Sequence, residues 1–157
     1  MISIIYSEDS LVNKQVASEV LHTLPEWFGI EESTQTYIES ASTEPCLIAY
    51  ENDEIIGFIS IYESNDFLEI DAMGVKSKYH QRGVGRQLIT NLIEYARLNN
   101  YSKIVVKTLS DKHPDENYRL TRLFYQKLGF VNKRELIIWG EKLPCTEMEL
   151  EINQKTS

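Results

Sequence analysis

The stretch Tyr79-His80-Gln81-Arg82-Gly83-Val84-Gly85-Arg86-Gln87-Leu88 sets two glycines in a turn that opens onto a run with apolar residues at Val84, Leu88, Ile89, Leu92, Ile93 and Ala96. That recurrence is the spacing of one helix face. A glycine turn ahead of a helix can aim several backbone N–H groups at one point, where the helix start adds the positive end of its dipole. The stretch is therefore predicted to hold an anion, with phosphate the leading candidate. The surrounding charge points the same way. No Asp or Glu lies between Ala72 and Ile93, while Lys76, Lys78, Arg82 and Arg86 all do. Since the whole chain has a formal net charge of −8, this is a local basic island.

Upstream of the turn, Phe67 to Val75 reads as a strand, preceded by strands Cys46 to Tyr50 and Ile55 to Tyr62 joined through Glu51-Asn52-Asp53-Glu54 as a hairpin. Before these come a short strand, Ile2 to Tyr6, a helix from Ser10 to Leu24 stopped by Pro25, an aromatic turn Trp27-Phe28-Gly29, and a polar helix from Glu31 to Ala41. Downstream, the glycine-led helix frays at Asn99-Asn100. There follow a strand Lys103 to Thr108, a helix Asn117 to Leu128 closed by Gly129, a strand Val131 to Trp139, and a last strand Thr146 to Ile152. In that last strand Met148, Leu150 and Ile152 alternate with Glu147, Glu149 and Glu151, read as one solvated face without a function. The order β-α-α-β-β-β-α-β-α-β-β predicts a mixed α/β (α+β) sheet of about seven mostly antiparallel strands flanked by about four helices.

At 157 residues the chain is read as a single domain spanning 1–157, able to bury about two-thirds of its unfolded surface without disulfides. Its 42% hydrophobic and 25% charged residues are globular values. Cys46 and Cys145 lack CxxC spacing and a neighbouring His cluster, so they are read as reduced thiols, with no metal expected. The start Met1-Ile2-Ser3-Ile4-Ile5 has no basic segment and runs at once into Glu8 and Asp9, and no apolar run reaches membrane-span length. A cytoplasmic protein without membrane or nucleic-acid partners is expected. The acidic balance disfavours nucleic acid and suits a cationic small molecule or basic peptide.

The phosphate turn is not a Walker loop, for GxxxxGK[ST] is absent. Nor does it suit a dinucleotide fingerprint, whose third glycine is here Leu88. It resembles the pyrophosphate loop of the GNAT superfamily of acyl-CoA-dependent N-acetyltransferases, Gln/Arg-x-x-Gly-x-Gly/Ala. The chain reads His80-Gln81-Arg82-Gly83-Val84-Gly85 after Met73-Gly74-Val75, with His80 departing at the first place. Downstream, Phe124-Tyr125-Gln126-Lys127-Leu128-Gly129-Phe130 resembles the family's Tyr-x-Lys-x-Gly-Phe. The element order is similar to the GNAT-like fold over essentially the whole chain. Two further places depart from it: Tyr118 stands where the family often has a cofactor-contacting Asn, and Lys107 where N-terminal protein acetyltransferases carry a catalytic Glu.

The resemblance implies acetyl-CoA as co-substrate, attacked directly by an amine in a ternary complex. It also implies cofactor contacts at Met73, Gly74, Val75, Gln81, Arg82, Gly83, Val84, Gly85 and Arg86, and it allows a homodimer. The oxyanion of the thioester needs a donor, which the resemblance places on a backbone N–H in Met73–Val75. An amine of lysine type, with pKa about 10.4, arrives protonated and must lose a proton. The leaving thiolate, whose thiol has pKa near 8.5, is helped by an acid. By the motif that acid is Tyr125; by spacing alone Tyr125 falls on the stripe Thr121, Phe124, Tyr125, Leu128 and is equally a core residue. Strand alternation puts Phe67, Glu69, Asp71, Met73 and Val75 on one face. Glu69 is the first choice of base, acting through water, and Asp71 the second, against a purely structural role for both. His80 is read as a loop residue beside phosphate and His113 as an exposed loop residue. Trp27 and Phe28 either border the acceptor pocket or close the core.

Overall fold

The computed structural model describes residues 1–153. Its elements run β1 (Ile2–Ser7), α1 (Ser10–Leu21), α2 (Pro25–Phe28), α3 (Glu31–Ala41), β2 (Cys46–Glu51), β3 (Glu54–Glu63), β4 (Phe67–Val75), a 3-10 turn (Ser77–Tyr79), α4 (Val84–Leu98), β5 (Lys103–Leu109), α5 (Glu116–Lys127), β6 (Val131–Leu136) and β7 (Cys145–Glu151). The seven strands form one mixed sheet in the order β1-β2-β3-β4-β5-β7-β6, antiparallel except where β4 meets β5. No helix among the described residues is long and apolar enough to cross a membrane.

Local chemistry explains most element ends. Asp9 caps α1 by accepting from the Val12 N–H at 3.1 Å, and Asp115 caps α5 by accepting from the Tyr118 N–H at 3.1 Å. Asn52 and Asp53 take positive φ (51° and 67°), the two-residue hairpin geometry these side chains tolerate. Two expected elements end early. The first helix stops at Leu21 because Thr23 and Leu24 bond back only three residues, to Val20 and Leu21, before Pro25 starts a separate turn of helix. The aromatic turn is thus α2, a fifth helix. The strand expected to reach Trp139 ends at Leu136, which pairs with Cys145, the first residue of β7. Beyond it Ile137–Trp139 have no partner strand and enter the turn at Gly140, φ 89°.

Two apolar layers sandwich the sheet. One joins β-strand residues to Leu88, Ile89, Leu92 and Tyr125 of α4 and α5; the other joins them to Val16, Ala17, Val20 and Leu21 of α1 and Ile38 of α3. On the α1/α3 side, β5 and β7 carry ions instead. Lys103 meets Glu149 at 3.3 Å, and Arg134 pairs with both Glu147 and Glu149. Glu149 is 7% exposed. At Glu147 and Glu149 the acidic alternation is therefore ion-paired and not simply solvated, because cations from β5 and β6 stand directly beside it, while Glu151 is exposed.

Candidate functional site

The site begins with a bulge. Ser60 pairs with Ala72 and Ile61 with Ile70, so Asp71 is an extra residue in β4 with no counterpart on β3. An extra residue breaks strand alternation. Leu68 and Ile70 belong to the α4/α5 layer, Ala72 belongs to the α1/α3 layer, and Met73 and Val75 pack against the α4/α5 layer again. A Cβ on Gly74 would meet Leu24, Val20 and Leu21, on the α1/α3 side. The expectation that Glu69, Asp71, Met73 and Val75 share one face is overturned. Glu69 meets Lys107 of β5 and Asp71 lies beside Glu44, while Met73 and Val75 pack against the α4/α5 layer.

The bulge also ends a pairing. β4 and β5 are bonded only from Phe67↔Lys103 to Ile70↔Val106, yet β4 runs on to Val75 and β5 to Leu109. Between them the sheet splays. Ala72 donates to Ser60 Oγ at 3.1 Å and Lys76 to the Ile56 carbonyl at 2.9 Å, both toward β3. Residues one step out of phase, Met73 and Val75, therefore turn their backbone polar groups to the splay. The Val75 carbonyl is met there by His80 Nε2 at 2.6 Å. The N–H groups of Met73 and Val75 face the opening, that of Met73 deeper in the splay.

Opposite Met73 stands Tyr125, 5% exposed, its ring between Phe124 and Phe130 with centroids 5.2 Å away in each case. It is a core residue whose hydroxyl nonetheless points to the splay, in contact with Met73 Sδ at 3.7 Å. Burial, and secondarily the Tyr118 phenol, raises its pKa, so it keeps its proton at neutral pH. On the other face Glu69 lies 3.0 Å from Lys107 Nζ. The structure thus brings Tyr125 to Met73 and Glu69 to Lys107, but does not bring Glu69 to Tyr125.

Sequence reasoning missed Glu44, which precedes β2. Its carboxyl lies beside that of Asp71, and Glu44 Oε1 and Asp71 Oδ2 are buried with no hydrogen-bond partner among the described residues. A second carboxyl so near makes the ionised form of Glu44 costly. Burial, then the neighbouring Asp71 carboxyl and the charge of Glu69, push Glu44 up to about 8. The same acids, after burial, push the neighbouring Cys46 thiol up to about 12. Only the contact between β2 and the bulge reveals this pair; nothing in the spacing of residues 44 and 71 does. Glu44 binds its proton more tightly in the folded chain than in the unfolded one. The stability this contributes is complete below about pH 4.5 and is lost as pH rises toward about 8. Glu44→Gln, which keeps a donor toward Asp71, is expected to flatten that part of the profile. At pH 8 it should exceed the parent by on the order of 1–2 kcal/mol, allowing for the solvent that reaches this side chain. Urea unfolding at pH 5 and pH 8 measures it, and an unchanged difference between the two pH values would sink this account.

At the open end of the splay, Gly83 (φ 79°) caps α4 without a side-chain acceptor for the first N–H groups, and Gln81 also takes positive φ, 63°. A Cβ on Gly83 would meet nothing within 4 Å, so the space before α4 is clear. Gly85 serves a different need, because a Cβ there would come within 3.2 Å of the Phe124 ring. The basic island is largely neutralised. Lys76 pairs with Glu19 at 2.5 Å, Lys78 with Glu54 at 3.0 Å, and Arg82 with Glu51 at 3.0 Å. Among the described residues Arg86 has no ion pair. His113 is half-buried rather than exposed, with Nδ1 unpartnered. It lines a separate cleft of about 760 Å³ behind α5, which contains none of the residues of the glycine turn.

Comparison with known proteins agrees with this geometry. Residues 13–130 match the pattern described as the acetyltransferase (GNAT) family. A zebrafish (Danio rerio) protein, N-acetylaspartate synthetase, is 28% identical over 85 residues, covering 53% of this chain. The chain spans only 28% of that relative's length. Among solved structures, the Escherichia coli ribosomal-protein-S18-alanine N-acetyltransferase superposes with TM-score 0.76 at 16% identity, covering 100% of this chain and 97% of that one. An aminoglycoside 6'-acetyltransferase type Ii does so with TM-score 0.72 at 24% identity, covering 99% of both. An aminoglycoside 6'-N-acetyltransferase complexed with coenzyme A gives TM-score 0.71 at 21% identity, covering 100% and 99%. At these identities the likeness of structures is one of fold.

Proposed function

The chain belongs to the GNAT acetyltransferase family, and from that premise we propose that it transfers the acetyl group of acetyl-CoA to a primary amine of a small molecule or basic side chain, by direct attack in a ternary complex in the cytoplasm. The observation that carries this reading is the splay itself. It holds a strand N–H, at Met73, and a protonated phenol, at Tyr125, on the two walls of one opening. At its open end stands the uncapped start of α4.

The residues fit the co-substrate. The clear space before Gly83, the free N–H groups of the first turn of α4 and the unpaired Arg86 suit a pyrophosphate, with Gln81, Arg82, Val84 and Gly85 shaping the turn. Arg82 must loosen from Glu51 to take part. When bound, acetyl-CoA supplies an acetyl group activated as a thioester. The Met73 N–H stabilises negative charge on an acyl oxygen, with Gly74 and Val75 holding the strand in place. Tyr125 donates a hydrogen bond to a departing sulfur. Glu69 takes the proton of the acceptor amine through water, and Asp71, beside Glu44, is the other carboxyl on the same face. The acids favour a cationic acceptor on the α1/α3 side, whereas Lys107 keeps that side from being uniformly negative.

The first test is thermal unfolding with and without acetyl-CoA, with an adenine nucleotide as control. Ligand at about 100 times Kd adds about 2.7 kcal/mol and should raise Tm by several degrees. An amine screen starting from polyamines and lysine-like compounds follows. No shift at millimolar acetyl-CoA would remove the proposal. A shift without turnover on any amine would leave a coenzyme-A-binding module.

A further inference from the structure

One side chain joins α5, which carries Tyr125, to the turn that follows β4. Trp27, on α2, donates from Nε1 to Thr121 Oγ1 of α5 at 3.2 Å and sets its ring edge-on to His80, centroids 5.8 Å apart. His80 is itself bonded to the Val75 carbonyl at the end of β4. A second bond runs the other way, from Tyr118 Oη of α5 to the Trp27 carbonyl at 3.0 Å. Tyr118, Thr121 and Tyr125 stand at i, i+3 and i+7, so the residues that hold Trp27 share a helix face with the phenol at the splay.

We propose that Trp27 is a positioning residue, a clasp that holds α2 against α5 in the free protein and that the cofactor's arm opens as it passes along α5 toward Tyr125. This rests on the acetyl-CoA reading above and deepens it. Whatever passes along this end of α5 must touch or displace a side chain that is bonded to Thr121 and reaches across to His80. The clasp is built to yield. The segment α2 is a single turn of helix without a side-chain cap, the kind of element that opens locally at small cost. Thr121 also donates to the Asn117 carbonyl at 3.1 Å, so losing the indole N–H leaves its hydroxyl satisfied. The groups concerned are only partly buried, and water can replace each of them.

The test uses the full chain carrying Trp139→Phe, in which Trp27 is the remaining tryptophan of two. Acetyl-CoA is titrated with emission and calorimetry recorded in parallel. The emission is expected to change saturably with the calorimetric Kd. Tyr118→Phe and Thr121→Val each remove one clasp bond from the free protein and are expected to tighten acetyl-CoA about fivefold. Acceptor KM and kcat should stay near the parent's, since the arm has already opened the clasp in the ternary complex, and tighter cofactor with level turnover is a split that a merely structural defect does not give. Calorimetric binding with unchanged emission and unchanged Kd in both variants would overturn the clasp and leave the acetyltransferase reading standing. No calorimetric binding at all would overturn both.

Discussion

With Tyr125→Phe, kcat is expected to fall about 100-fold, within the usual range for a positioned acid, while the acetyl-CoA Kd and the unfolding midpoint stay near those of the parent. The structure separates the two roles of this residue. Its ring is core, packed on Phe124 and Phe130, and phenylalanine retains that packing. Its hydroxyl meets only Met73 Sδ, a weak acceptor whose loss costs the fold little. Burial raises the phenol pKa, so the proton stays in place across the neutral range. Full transfer to a thiolate whose thiol pKa is about 8.5 is uphill from such a phenol. Most of the expected effect is therefore a hydrogen bond to developing charge on sulfur. An unchanged kcat would take Tyr125 out of the chemistry and leave it as core.

Gly83→Glu is expected to weaken acetyl-CoA by at least about a hundredfold, since a carboxylate about 4 Å from phosphate opposes it by up to about 4 kcal/mol at the effective dielectric of a protein surface. The free protein should stay folded. The added Cβ meets nothing within 4 Å, and an acid at a helix start suits the dipole, which offsets the strain of a side chain at φ 79°. Gly83→Ala isolates that strain, about 1 kcal/mol of stability with binding largely retained. Gly85→Ala is a poor substitute, because its Cβ presses on Phe124 and reports packing. Calorimetry on Gly83→Glu decides the matter: normal binding would mean the phosphates sit elsewhere.

The elements were legible where one periodicity ran unbroken. The limits of β4 and the start of α4 were read as they stand, because alternating and 3.6-residue patterns meet there at a glycine turn. What failed was anything that depended on a partner. Alternation through β4 gave the wrong face for Met73 and Val75, since only pairing with β3 exposes Asp71 as an extra residue. The end of β6 depended on where β7 starts. The acids of β7 looked solvated because Lys103 and Arg134 come to them from other strands. In the candidate site Tyr125 carried a motif, and the structure sets its hydroxyl against Met73 Sδ. Glu44 and the bonds of Trp27 to α5 carried none, and they join residues far apart in the chain.

The extra residue in β4 makes the register of this strand a one-step switch. Deleting Asp71 would restore plain alternation. Met73 and Val75 would then keep their place on the α4/α5 side without a bulge, whereas flattening the bulge with Asp71 retained would carry them to the α1/α3 side and present a neighbouring residue's amide to β5. Sequence comparison inherits the same sensitivity. An alignment that omits the gap at Asp71 shifts the rest of the strand by one residue, exchanges its acceptor side for its thioester side, and transfers every functional assignment beyond that point to the wrong face.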